Sequence, residues 1–142
     1  PWNDPRAPRI LKGEEAVRRF TEGRVNKFVC IERDREQLQA LGRRLETLPG
    51  LEITSSWADN YELMPQGVSK GRAVKELAEK MGIGPDQVMT VGDFDNDLSM
   101  IEYAGYGTAM GNATPKVKAA AKYVTLTNDE DGVAAAIRKY VL

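Results

Sequence analysis

The sequence predicts an α/β fold built on a parallel sheet, and three observations carry that prediction. From Gln87 onward, short apolar runs alternate with segments of helical spacing, the order expected of parallel βα units. At Val88 to Met100 an apolar run stops at Gly92, and three carboxylates and an amide follow within five residues before helical spacing resumes, which describes a strand, a tight turn and a helix start. At Met64-Pro65-Gln66-Gly67 both periodicities break. This marks a boundary between an earlier unit and the parallel one.

Taken in order, Pro1 to Arg9 holds three prolines and reads as an irregular lead-in. A short helix is expected from Glu14 to Phe20, with Ala16, Val17 and Phe20 on one side, and a strand from Val25 to Ile31. Asp34 suits the N-cap of a helix in which Leu38, Leu41, Leu45 and Leu48 recur at spacings of three and four, ending at Pro49-Gly50. Strands Leu51 to Trp57 and Tyr61 to Met64 follow, joined at Ala58-Asp59-Asn60. Asp59 and Glu62 read as the solvated side of that hairpin rather than as ligand groups. Beyond the boundary, Ser69 caps a helix with Val74, Leu77, Ala78 and Met81 at i, i+3, i+4 and i+7, closed by Gly82 and Gly84-Pro85. The remaining expectations are strand Gln87 to Val91, a helix with Asp97, Met100, Ile101 and Ala104 on one face, strand Tyr106 to Met110, helix Pro115 to Ala121, strand Tyr123 to Leu126 and a helix from about Glu130. No internal repeat is present.

Composition narrows the chemistry. The 142 residues and 42% hydrophobic content suit one modest domain or two half-domains. Lysine plus arginine number 20 against 21 acidic residues, which gives neither a nucleic-acid footprint nor a surface for acidic partners. The first 48 residues hold 11 basic and 8 acidic groups, leaving 9 and 13 for the remainder, so the negative excess falls in the half with the carboxylate cluster. The absence of histidine removes Ser/His/Asp triads, Cys/His pairs and histidine-rich zinc sites. The single cysteine, Cys30, rules out an internal disulfide and reads as a small core residue. No apolar run approaches the roughly 20 residues of a membrane span. A reducing, cytoplasmic setting is expected. The chain opens on proline rather than methionine, as expected of a sequence whose start has been removed.

If Val88 to Val91 is a buried parallel strand, Asp93 lies just past its carboxyl end and Asp97 one turn into the next helix, at the edge where open α/β sheets bind ligands. Clustered carboxylates without histidine or thiolate favour a hard cation, and Mg²⁺ fits best because it takes few protein carboxylates and keeps waters or phosphate oxygens. A calcium-binding EF-hand loop starting at Asp93 fails: it would put Leu98 where glycine is needed and Ala104 where the bidentate glutamate belongs. A helix start merely decorated with acids accounts for one or two carboxylates, not for Gly92-Asp93 followed by Asn96-Asp97. Lys70 sits in a helix first turn, an unfavourable place for a cation, beside backbone amides that favour an anion. An ammonium with free amides suits phosphate. One helix and one strand separate it from the acidic turn, so both can converge on one crevice.

Met64-Pro65-Gln66-Gly67-Val68-Ser69-Lys70-Gly71, Gly92-Asp93-Phe94-Asp95-Asn96-Asp97-Leu98-Ser99-Met100 and Met110-Gly111-Asn112-Ala113 together resemble the C-terminal half of a haloacid dehalogenase superfamily phosphatase of the Cof type, in the right order from about residue 25 to the end. The resemblance implies a Rossmann-like parallel-sheet core portion, residues 65–142, preceded by the C-terminal part of an α/β cap domain, residues 1–64. It implies that Lys70 contacts the nucleophile and the transferring phosphoryl group and that Asp93 is a catalytic Mg²⁺ ligand. Asp97 would support the metal shell, Asn96 would lie near the substrate phosphate, and Asn112 would take a supporting part in phosphate binding. Asp95 falls at a variable position. The implied substrate is a sugar phosphate or other small phosphorylated metabolite.

One departure matters. The family's first motif, an Asp-x-Asp pair supplying nucleophile and general acid, and its second, a phosphate-binding Ser or Thr, belong before the cap, and no Asp-x-Asp followed by glycine and threonine occurs upstream of residue 64. The chain by itself is therefore expected to be inactive. The strand that carries the nucleophile would lie next to Gln87 to Val91. Its absence predicts an apolar edge covered by a companion polypeptide or by another copy. Two other readings stand beside the phosphatase: a non-catalytic metal- or phosphate-binding α/β module, and a receiver-like signalling domain, against which it counts that Lys70 precedes Asp93.

Overall fold

Residues 26–142 are described by a computed structural model. The expected lead-in and the helix over residues 14–20 lie outside the described residues, as does the start of the first expected strand.

Among the described residues the earlier unit is an antiparallel sheet carrying one helix. Strand β1 (Phe28–Ile31) is followed by helix α1 (Arg35–Leu45), strand β2 (Leu51–Thr54) and strand β3 (Asn60–Pro65), with β3 in the middle of the order β1-β3-β2. Asp34 caps α1, its Oδ1 accepting from the Glu36 and Gln37 amides at 2.9 and 3.1 Å. Leu38 and Leu45 pack inward, whereas Leu48 lies beyond the helix end and is exposed. The strand expected to reach Trp57 stops at Thr54 because buried Asn60 closes the turn, its Oδ1 accepting from the Ser56 and Trp57 amides at 3.1 and 3.0 Å. A side chain that satisfies two turn amides leaves them nothing to give to a sheet ladder.

The second unit starts beyond Pro65. Helix α2 (Lys70–Met81) is capped by Ser69 and closed by Gly82 in the left-handed region at φ 69°. Strand β4 (Met89–Gly92), helix α3 (Leu98–Tyr103), strand β5 (Tyr106–Ala109), helix α4 (Pro115–Ala120), strand β6 (Tyr123–Val124) and helix α5 (Gly132–Tyr140) follow. The sheet runs β4-β5-β6 with both pairings parallel. Ile101, Ala109, Met110, Ala113 and Val117 form its main core, and Ala78, Val88 and Ala104 a second one under α2.

The strand expected over Tyr123 to Leu126 stops at Val124, several other ends move by one residue, and three boundaries are displaced by 3₁₀ turns. A 3₁₀ turn at Pro85–Gln87 delays β4 by two residues and carries it to Gly92, because proline preorganises the first position of a turn. A second 3₁₀ turn, Asp95–Asp97, precedes α3, so Asp97 lies before that helix rather than one turn within it. A third, Asn128–Glu130, delays α5 to Gly132. On α2 the buried stripe is Gly71 and Ala78 with half-buried Val74, while Leu77 and Met81 are exposed. Among the described residues β4 ends the parallel sheet and only β5 pairs with it. No helix there is long and apolar enough to cross a membrane.

Candidate active site

The turn after β4 is assembled around Asp97. Its side chain is buried, and its Oδ2 accepts hydrogen bonds from the backbone amides of Asp93 at 3.0 Å and Phe94 at 3.3 Å. Its Oδ1 accepts from the Lys70 ammonium across 27 residues. Gly92 makes this possible: a Cβ there would stand 2.4 Å from the Asp97 Cβ and 2.8 Å from Oδ2. A buried carboxylate needs donors on both oxygens, and here backbone amides and an ammonium supply them.

Lys70 arrives through a comparably close approach. A Cβ on Gly71 would stand 2.4 Å from the Ser99 carbonyl oxygen, so only glycine lets the start of α2 lie against the start of α3. The Gly71 amide donates to Ser99 Oγ at 3.0 Å and the Arg72 amide to Ser69 Oγ at 3.2 Å. This corrects the expectation of free amides at this helix start. The side chain of Lys70 is half exposed, and it is this ammonium that faces the cleft.

Asp93 is exposed just beyond β4. The Asn112 side-chain amide donates to its Oδ2 at 3.2 Å, and the Thr114 backbone amide donates to its carbonyl at 3.0 Å. Asn112 Oδ1 accepts from the Asn128 amide at 3.0 Å. Flipping the amide would set oxygen against carboxylate and NH₂ against N–H, so its two partners fix its orientation. Asn112, expected to help bind phosphate, thus has both ends of its amide engaged and holds Asp93. Asn96 ties the acidic turn to the antiparallel unit, its backbone amide donating to the Ser55 carbonyl at 3.2 Å, and its side chain lines the cleft. Asp95 accepts from Thr114 Oγ1 at 3.3 Å and pairs with Lys116 at 3.5 Å.

Lys70, Asp95, Asn96 and Ser99 border a cleft of about 420 Å³ between the antiparallel sheet and the acidic turn, with Glu62 on the opposite wall, whereas Asp93, Asp97 and Asn112 do not line it. Glu62 is 7% exposed, accepts from Lys27 Nζ and Ser56 Oγ at 2.8 Å each, and is not the solvated hairpin residue expected from sequence. Burial by itself would raise its pKa. The hydrogen bonds from Lys27 and Ser56 and the charges of Lys27 and Lys70 outweigh burial and hold it below the ordinary glutamate value. Hydrophobic alternation alone gave no signal for this residue, because its partner Lys27 is 35 residues away.

Among the described residues no three carboxylate, histidine or cysteine side chains cluster as metal ligands. Asp93 fits one position of a Mg²⁺ shell, since its Oδ1 accepts no hydrogen bond from the described residues. Asp97 has both oxygens engaged and fits a supporting place. A hard cation here would draw its other ligands from water, phosphate or further carboxylates.

A parallel α/β sheet thus carries at its carboxyl edge a lysine ion-paired to a buried aspartate of an acidic turn. The chain belongs to the haloacid dehalogenase-like hydrolase family, whose model matches residues 12–137. It is 50% identical over 92 residues to the 5-amino-6-(5-phospho-D-ribitylamino)uracil phosphatase YcsE of Bacillus subtilis, covering 65% of this chain and 37% of that protein. It is 39% identical over 116 residues to the pyridoxal phosphate phosphatase YbhA of Escherichia coli, covering 82% and 43%. A solved haloacid dehalogenase-like hydrolase from B. subtilis superposes with a TM-score of 0.76 at 42% identity, over 82% of this chain and 41% of that one. The chain therefore spans less than half the length of these relatives.

Proposed function

We propose that this chain is the C-terminal portion of a Mg²⁺-dependent phosphatase acting on a sugar phosphate or other small phosphorylated metabolite. The observation that carries the reading is the Lys70–Asp97 ion pair, which joins an ammonium to the acidic turn across 27 residues. Its relatives' names, phosphatases of a ribityl phosphate and of pyridoxal phosphate, support a small phosphomonoester substrate. Residues 1–64 then belong to the cap and 65–142 to the core. Cys30 as a free thiol suits a reducing cytoplasmic setting.

In this reading a carboxylate outside the chain attacks phosphorus and displaces the alcohol, which takes its proton from the second carboxylate of the Asp-x-Asp pair, and water later hydrolyses the acyl-phosphate to release phosphate. Lys70 offsets charge on the phosphoryl oxygens as it spreads in the transition state. Asp97 holds Lys70 in place through Oδ1 and fixes the path of the turn through Oδ2, so that Asp93 projects beyond the sheet. Asn112 restrains the Asp93 carboxylate, and Asn96 stands beside the phosphate. Mg²⁺, held by Asp93, would supply Lewis-acid neutralisation of the same oxygens when bound. The segment with the nucleophile, or another copy of the chain, covers the outer edge of β4.

A non-catalytic phosphate-binding module is the second reading, favoured by Asp93 being the one carboxylate of the acidic turn with an oxygen that accepts no hydrogen bond from the described residues. Phosphate release from a panel of phosphomonoesters separates the two. The chain alone is expected to be inactive, and the chain mixed with a polypeptide carrying the family's N-terminal Asp-x-Asp half is expected to turn over in Mg²⁺. A folded mixture with no turnover on any ester would leave only the binding module.

A further inference from the structure

We propose that Glu62 selects the non-phosphate part of the ligand, favouring hydroxyl- or amine-bearing groups and rejecting a second anion. The inference rests on the reading of Lys70 as the phosphate contact. Glu62 is buried on the middle strand of its sheet, opposite Val29 on β1 and Thr54 on β2, so its backbone is fixed from both sides. Its carboxylate lines the cleft across from Lys70 and is held by Lys27 and Ser56 at 2.8 Å each. An ionised carboxylate only accepts hydrogen bonds, so the groups it can bind are donors.

The charge around it points the same way. Among the described residues three lysines line the cleft, each already paired: Lys27 with Glu62, Lys70 with Asp97 and Lys116 with Asp95. Glu46, Glu52 and Glu102 line it with no described cation in ion-pair reach. A phosphate seated at Lys70 thus extends its remaining atoms into a cleft whose described lining holds more carboxylates than lysines. A hydroxyl or ammonium is stabilised there, and a carboxylate or second phosphate is repelled.

Sorbitol 6-phosphate and 6-phosphogluconate form a matched pair of probes, differing by a hydroxymethyl in place of a carboxylate at the end remote from phosphate. In calorimetric titrations of this chain, sorbitol 6-phosphate should bind about tenfold more tightly, a ratio expected for one charge repelled at partly screened distance. Glu62→Gln keeps the shape and should reduce the ratio to about two. Lys27→Ala leaves Glu62 uncompensated and should raise the ratio, an opposite shift that loss of structure would not produce. An unmoved ratio in either variant that still binds inorganic phosphate overturns the inference alone. Inorganic phosphate affinity that survives Lys70→Ala overturns the underlying reading and the inference with it.

Discussion

The two walls of the cleft are built on different principles. On the acidic side, Asp97 meets Lys70 and two backbone amides, and Gly92 and Gly71 leave no room for a Cβ, so each side chain is held by contacts that admit one residue type. On the opposite side, Glu62 depends on Lys27, whose side chain is 45% exposed, and on Ser56 in a turn. The first wall is over-determined and the second adaptable. A group that must meet a constant phosphate gains from the former, and a group that must meet a variable leaving group gains from the latter.

Substitutions can break this contrast, and the largest effect is expected at Asp97. Asp97→Ala leaves two amides without their acceptor and Lys70 without its partner, and should lower stability by about 3 kcal/mol in urea denaturation. Gly92→Ala, which drives a methyl into the Asp97 side chain, should cost about 2 kcal/mol. Values near zero for both would show that the acidic wall is not over-determined.

Across the cleft the effect is smaller and depends on pH. The folded pKa of Glu62 lies below the ordinary glutamate value, so the stability it contributes is present above the unfolded pKa and is lost as pH falls through the folded one. Melting temperature against pH should fall on the acid side of about 4.5, and Glu62→Gln should flatten that limb; an identical limb in both proteins would remove the Lys27–Glu62 pair from the account. The smallest change in stability belongs to exposed Asn112. Asn112→Ala should alter it by no more than about 0.5 kcal/mol. Mn²⁺ affinity, measured by calorimetry in the Mg²⁺-supported assembly, should nevertheless drop on the order of tenfold because Asp93 loses its restraint.

The same contrast sets what was legible in the sequence. Gly92, Asp93, Asn96 and Asp97 are neighbours in the chain, and the strand and helix that flank them announce themselves by periodicity, so the acidic wall could be read locally. Lys70 was placed beside it by the order of one helix and one strand. Glu62 could not be read this way, because its environment comes from strand register, with Val29 and Thr54 opposite it and Lys27 35 residues away. The spacing of Leu77 and Met81 marked them for a core face that the described residues do not cover. Asn112 was singled out as a ligand-facing amide, and only the Asn128 contact reveals that both its ends are engaged. Element ends slipped wherever a 3₁₀ turn or the Asn60 side chain took amides that a helix or strand would have used.

The central claim is that the acidic turn and Lys70 are the electrostatic half of a phosphatase site. Its most direct test is phosphate release by the chain complemented with an Asp-x-Asp-bearing N-terminal half, compared with the same assembly carrying Asp93→Asn. The account predicts that turnover falls by at least about a hundredfold while the melting temperature stays within a few degrees. Unchanged turnover in the Asp93→Asn assembly would contradict it.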